Sequence, residues 1–152
     1  MGYEETDYDN DVPEGRVISQ SVNAGDGIWR GSSVDIVSSL GPETISVDFS
    51  LSVSGTDYYY ISNGNCYSGL TGYDDVYSGA TIYLSGSNGS MSSATLSVES
   101  GYGTYCTYTA TFDSVPQNQG NYELTVGNRT PVLYTLSEMN DRNWEFDLTL
   151  GD

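Results

Sequence analysis

The chain reads as an all-β protein, an antiparallel β-sandwich. Apolar and polar residues alternate with period two along most of its length. Clusters of Gly, Asn, Asp and Pro interrupt that alternation at short intervals, and no segment keeps an i, i+3, i+4 apolar pattern for three turns. Strands present alternate side chains to opposite faces, and such clusters supply the backbone conformations that tight turns need. With 152 residues the chain can hold one domain with a real core, because a chain of this size buries roughly 70% of its unfolded surface.

Residues 1–15 are acidic and polar and read as an acidic arm outside the sandwich, which then occupies 16–152 as a single domain. RVISQSV, SSVDIV, DYYYIS and ATIYLSG are short strand candidates. The clearest strand is TISVDFSLSVS over 44–54, with Ile45, Val47, Phe49, Leu51 and Val53 on one face and Ser46, Asp48, Ser50 and Ser52 on the other. SSATLSV then turns Ala94, Leu96 and Val98 inward, and TYCTYTATF does the same with Cys106, Tyr108, Ala110 and Phe112. NYELTV aligns Tyr122, Leu124 and Val126, while PVLYTL aligns Val132, Tyr134 and Leu136. NWEFDLTL closes the series with Trp144, Phe146, Leu148 and Leu150. NAGDG, SLGPE, SNGN, SGSNGS, ESGYG, PQNQG, VGNRTP and EMNDRN are the intervening turns. Eight to ten short strands at this spacing predict an immunoglobulin-like or jelly-roll sandwich, with an up-and-down barrel as the lesser alternative.

Charge bounds the function. Asp and Glu number 21 against four arginines, with no lysine and no histidine, for a net charge of -17. Ser-His-Asp and Cys-His activation, imidazole metal sites, lysine Schiff bases and the P-loop lysine are thereby excluded. Arg16, Arg30, Arg129 and Arg142 are scattered, so no basic footprint for nucleic acid exists. Anionic membranes are disfavoured for the same reason, and no apolar run approaches the ~20 residues of a membrane helix. With 21 acidic residues, a glycosidase-like carboxylate pair can be drawn almost anywhere and singles out no site. The expectation is a protein that is not an enzyme.

Several groups are candidate sites. Asp7, Asp9 and Asp11 alternate in TDYDNDVPEG as oxygen ligands for a hard cation can. The EF-hand pattern fails there, because Val12 stands at its glycine position and Ile18 at its glutamate position. Asp74 and Asp75 form a second acidic pair. The competing reading of both is solvated surface charge with loosely held Na, K, Mg or Ca and no dedicated cofactor. Cys66 and Cys106 are a candidate disulfide, the alternative being two buried thiols. Asn88 and Asn128 begin N-x-S/T sequons in predicted turns and are candidate glycosylation sites. Tyrosine is in excess, with 14 residues. Tyr58, Tyr59, Tyr60, Tyr67, Tyr73 and Tyr77 compose a candidate interface, since tyrosine gives rigid contact area with a polar tip. Ordinary strand propensity and cross-strand pairing are the competing account.

The lysine-free acidic composition resembles that of proteins from extreme halophiles. With the short-strand pattern and tyrosine-rich faces, the whole chain resembles small β-sandwich surface proteins, decoration, turret or tail components, of tailed haloarchaeal viruses. That resemblance implies a virion structural role, with partners that are copies of the chain and other virion proteins. It also implies a location on the particle surface after cytoplasmic synthesis without a signal peptide, as the plain Met1 start leads one to expect. Two other readings stand beside it: an adhesion module that binds a host-surface glycan through its tyrosines, and a secreted surface-layer or matrix protein.

Overall fold

The computed structural model describes residues 2–54, 60–62, 65–67, 73, 75–102 and 105–151. The chain divides into two compact units, Met1–Thr44 with Pro116–Asn118, and Ile45–Val115 with Gln119–Asp152.

The first unit is a three-stranded sheet of β1 (Glu4–Asp7), β2 (Val17–Gln20) and β3 (Ile36–Ser39) in the order β1-β3-β2. β3 pairs antiparallel with β2, across a bulge near Val17, and parallel with β1. The acidic arm expected over 1–15 therefore contributes a strand: a parallel ladder to β3 gives EETD backbone partners that no side-chain pattern announced. The compact division falls at Thr44, not at residue 15. No apolar side chain is buried here among the described residues; the buried side chains are Ser38 and Ser39. Ser38 Oγ donates to Glu4 Oε1 at 2.8 Å, and Ser39 Oγ donates to the Val12 carbonyl at 2.6 Å and accepts from the Gly41 amide at 2.9 Å. Polar hydrogen bonds stand where a core would stand.

The second unit is the sandwich. Its elements run β4 (Thr44–Ser54), β5 (Tyr60–Ser62), β6 (Asn65–Tyr67), β7 (Thr81–Gly86), β8 (Met91–Thr95), β9 (Ser97–Tyr102), β10 (Tyr105–Pro116), β11 (Asn121–Val126), β12 (Val132–Thr135), α1 (Leu136–Asp141) and β13 (Glu145–Leu150). One sheet has the order β13-β4-β10-β9 and the other β12-β11-β7-β8, with β5 and β6 as a separate hairpin. Hairpins β7–β8, β9–β10 and β11–β12 stay within a sheet, while the links between them change sheets, a Greek-key style of winding. The parallel pair β13–β4 joins the last strand to the unit's first.

Alternation in the sequence becomes the core. Val47, Phe49, Leu51 and Val53 of β4 and Cys106, Tyr108, Ala110 and Phe112 of β10 face Ile82, Leu84, Tyr122, Leu124 and Val126 of the other sheet in one buried cluster. Each large apolar side chain buried this way contributes about 1.5–3 kcal/mol.

The structure departs from the strand reading at several places, among them ESGYG, expected as a turn, whose residues 99–102 lie in strand β9. SSATLSV breaks at Leu96, fully buried, whose N–H donates to the Ala80 carbonyl at 2.9 Å and whose carbonyl accepts from the Gly79 amide at 2.8 Å. The chain changes sheets there. Val132 shares the face of Leu124 but lies on an edge strand and is 37% exposed. EMNDRN, expected as a turn, lies mostly within α1, and Leu136 begins that helix. Thr135 caps it: its Oγ1 accepts from the Glu138 amide at 3.2 Å while Glu138 Oε2 accepts from the Thr135 amide at 2.8 Å. Met139 on α1 is buried, and Asn143 and Trp144 then turn the chain into β13 with φ of 52° and 61°. Trp144 holds this uncommon conformation with its ring buried edge-on against Tyr122, centroids 5.4 Å apart.

Candidate functional site

The β5–β6 hairpin stands apart from both sheets and carries tyrosines. Its register sets Tyr60 opposite Tyr67, Ile61 opposite Cys66 and Ser62 opposite Asn65. Cys66 is disulfide-bonded to Cys106, 40 residues on, with 6.3 Å between their Cα atoms, a separation in the ordinary range. Cys106 is fully buried on the core face of β10, so the hairpin is fastened to the interior of the sandwich. Both hairpin strands lie against β9. The end of β9 carries Tyr102, directly paired with Tyr105 of β10, and these are 80% and 46% exposed. Two solvent-facing phenol rings thus adjoin a hairpin whose strand register aligns two more tyrosines.

Tyr58, Tyr59 and Asp74 lie outside the described residues, and only the backbone placement of Tyr60 and Tyr67 is described. Tyr77 is 54% exposed. Tyr73 is half-buried, and the Arg129 guanidinium lies 5.3 Å from its ring centroid, an attractive cation–π geometry. Arg129 also pairs with Asp75 at 2.5 Å, and the Asn128 amide donates to the same Oδ2 at 2.9 Å. Partial burial pushes the Asp75 carboxyl up, but the hydrogen bonds from Arg129 and Asn128 and the arginine charge outweigh it and hold the group below its ordinary value. Tyr73 and Asp75 therefore clamp the 127–130 turn instead of offering themselves to a ligand.

The aspartates of the first unit are occupied similarly. Asp9 Oδ1 accepts from the amides of Asp11 and Val12, both at 2.8 Å, and Asp7 Oδ1 accepts from the Tyr8 amide at 2.9 Å. The Asp9 pair are local turn bonds of the Asx type. Among the described residues no three Asp, Glu or Cys side chains converge as metal ligands. Asn88 and Asn128 are exposed, and Asn88 Oδ1 accepts from the Ser90 amide at 2.8 Å within a tight turn closed by Gly89, φ 87°.

A shallow depression of about 220 Å³ lies on the outer face of β13, β4 and β10, lined by Asp48, Thr111, Glu145 and Asp147 among others. Glu145 sits directly opposite Asp48, which accepts from Thr111 Oγ1 at 2.8 Å. It is an open, acidic, hydroxyl-lined sheet face.

Tyr102 and Tyr105 belong to the tyrosine excess but stand outside the six-residue candidate interface. The signal available was their spacing, three residues apart at the facing ends of two strand-like runs, where paired residues project together.

The family model described as PASTA domain matches residues 1–40. No curated protein and no solved structure matches the chain.

Proposed function

We propose that this chain is a non-enzymatic structural protein of an extracellular particle, a virion surface component, that works through protein–protein contacts made by its tyrosine-bearing end. The observation that carries this reading is the disulfide-fastened β5–β6 hairpin beside the exposed pair Tyr102 and Tyr105. Exposed tyrosine on a rigid scaffold is the composition of recognition surfaces, because little side-chain entropy is lost on contact. A disulfide fits life in an oxidising exterior. The acidic surface fits salt-rich surroundings, with Na, K or Mg held loosely between carboxylates of neighbouring subunits.

The test is light scattering on a sizing column, in molar sodium chloride and in dilute buffer. A discrete oligomer in salt that dissociates on dilution, and that Tyr102→Ser with Tyr105→Ser abolishes, is the expected result. A monomer under both conditions overturns the assembly role. If the monomer instead binds glycans and loses them with the same double variant, the surface belongs to an adhesion module.

The match of residues 1–40 to the PASTA domain favours a second reading, cell-wall binding by the first unit. Sedimentation of the full chain with purified wall material, against the chain lacking residues 2–15, separates it from the first.

A further inference from the structure

The sheet of the first unit has a groove of about 390 Å³ on one face. Two rows of residues build it across the strands. In one row Glu5 and Ser19 flank Val37, in register on either side of the central strand. In the other, Asp35 Oδ1 accepts from the Tyr3 amide at 2.7 Å, and the Asp35 amide donates to Ser21 Oγ at 2.9 Å. The Tyr3 side chain is 73% exposed, and Glu5 and Asp35 are both exposed. The groove therefore offers a half-buried aliphatic floor, one phenol ring and two carboxylates.

The surrounding charge narrows the occupant. Residues 2–44 carry nine carboxylates, Glu4, Glu5, Asp7, Asp9, Asp11, Glu14, Asp26, Asp35 and Glu43, against Arg16 and Arg30. Nucleic acid and anionic lipid are repelled. At physiological salt a second copy of a lysine-free chain with a net charge of -17 is repelled as well, because the assembly expected of the tyrosine end needs molar salt to screen it. A single inorganic ion leaves Val37 and the ring unused. What matches all three features is a side chain that is apolar along its stem and cationic at its tip, as Lys and Arg are. Their stems lie on aliphatic floor, their heads meet carboxylates, and the ring attracts the cation. β2 is an edge strand of its sheet, of uncharged residues, VISQ, and an extended segment can pair along an edge strand.

We propose that this groove binds an extended lysine- or arginine-rich segment of a partner protein. Such binding is independent of the assembly role of the tyrosine end. The full chain is titrated into a fluorescein-labelled decalysine peptide at physiological salt and read by anisotropy. An acidic protein attracts polylysine everywhere, so the comparison is between two variants that remove equal charge. Glu5→Gln with Asp35→Asn weakens binding about tenfold, whereas Glu145→Gln with Asp147→Asn on the sandwich weakens it at most about twofold. Asn at 35 keeps an acceptor for the Tyr3 amide, and Glu5→Gln alone, expected to cost about threefold, serves if the double variant misfolds. Tyr3→Ala also weakens binding, while Tyr83→Ala, an exposed tyrosine of the other unit, does not. Equal losses in the two charge variants, or none in either, overturn the proposal. So does a dimer in molar salt that Tyr3→Ala abolishes, which would make a second copy the occupant.

Discussion

The Asp75 carboxylate accepts from Arg129 at 2.5 Å and from the Asn128 amide at 2.9 Å, and a Cβ on Gly127, φ 59°, would overlap it. One side chain therefore holds the turn, the arginine and, through the arginine, the Tyr73 ring. Asp75→Asn is expected to destabilise the fold by about 1–2 kcal/mol at neutral pH, a modest figure because both partners are partly solvated. Since the folded-state value lies below the ordinary 3.8, this stability is present above that pH. It is lost as pH falls through the folded value. Thermal unfolding of both proteins between about pH 5 and pH 2 checks the sign: their difference in Tm should shrink toward acid. A difference that stays constant would mean the carboxylate charge is not what holds the turn. Gly127→Ala should destabilise by a similar or larger amount, having both the overlap and the positive φ against it.

At the scale of elements, the disulfide and the helix cap mark where local bonds decide the structure. Cys66→Ser removes a bridge spanning 40 residues, with an expected loss of about 3–4 kcal/mol. Hydrogen exchange should then rise first at 60–67, while β4, β7, β10 and β11 stay protected by the core they share. Uniform loss of protection would show that the hairpin is integral to the sandwich and not fastened onto it. Thr135→Ala, which removes the α1 cap, is expected to cost about 1 kcal/mol, measured by denaturant midpoint. The strand faces were legible where both sides of the pattern are enforced, as at Val47 to Val53, buried inward and flanked by serines and Asp48. α1 was not read, although T-L-S-E is a capping box, because a six-residue helix shows less than two turns of periodicity. β1 was invisible because parallel pairing to β3 demands nothing of its side chains, and EETD is exposed at every position. Composition flagged the tyrosines as a group, but only the Tyr102–Tyr105 pairing and their exposure separate these two from Tyr73, which packs under Arg129.

Over the whole molecule, self-repulsion governs the electrostatics, and it has local expression. A net charge of -17 is spread over a fold in which Glu145 and Asp48 are directly paired and both exposed, with Asp147 on the same face. Like charges directly opposed across a strand pair destabilise it, and exposed charges more than a Debye length apart stop interacting. That length is roughly 10 Å at 0.1 M salt and 3 Å at 1 M, so most of the repulsion on a molecule this small disappears between the two. The Tm should therefore climb steadily from dilute buffer to molar sodium chloride, and further than in an equal activity of neutral osmolyte. Glu145→Gln separates the local part from the global one. It should raise the Tm by about 1–3 °C in dilute buffer, and the gain should vanish at molar salt, where the native pair is already screened. A gain that persists in salt would mean that glutamine packs better on that face and that charge is not the cause. A wild-type Tm indifferent to salt would mean that the carboxylates are neutralised by something tighter than the ionic atmosphere, and bound cations would then be the first thing to assay.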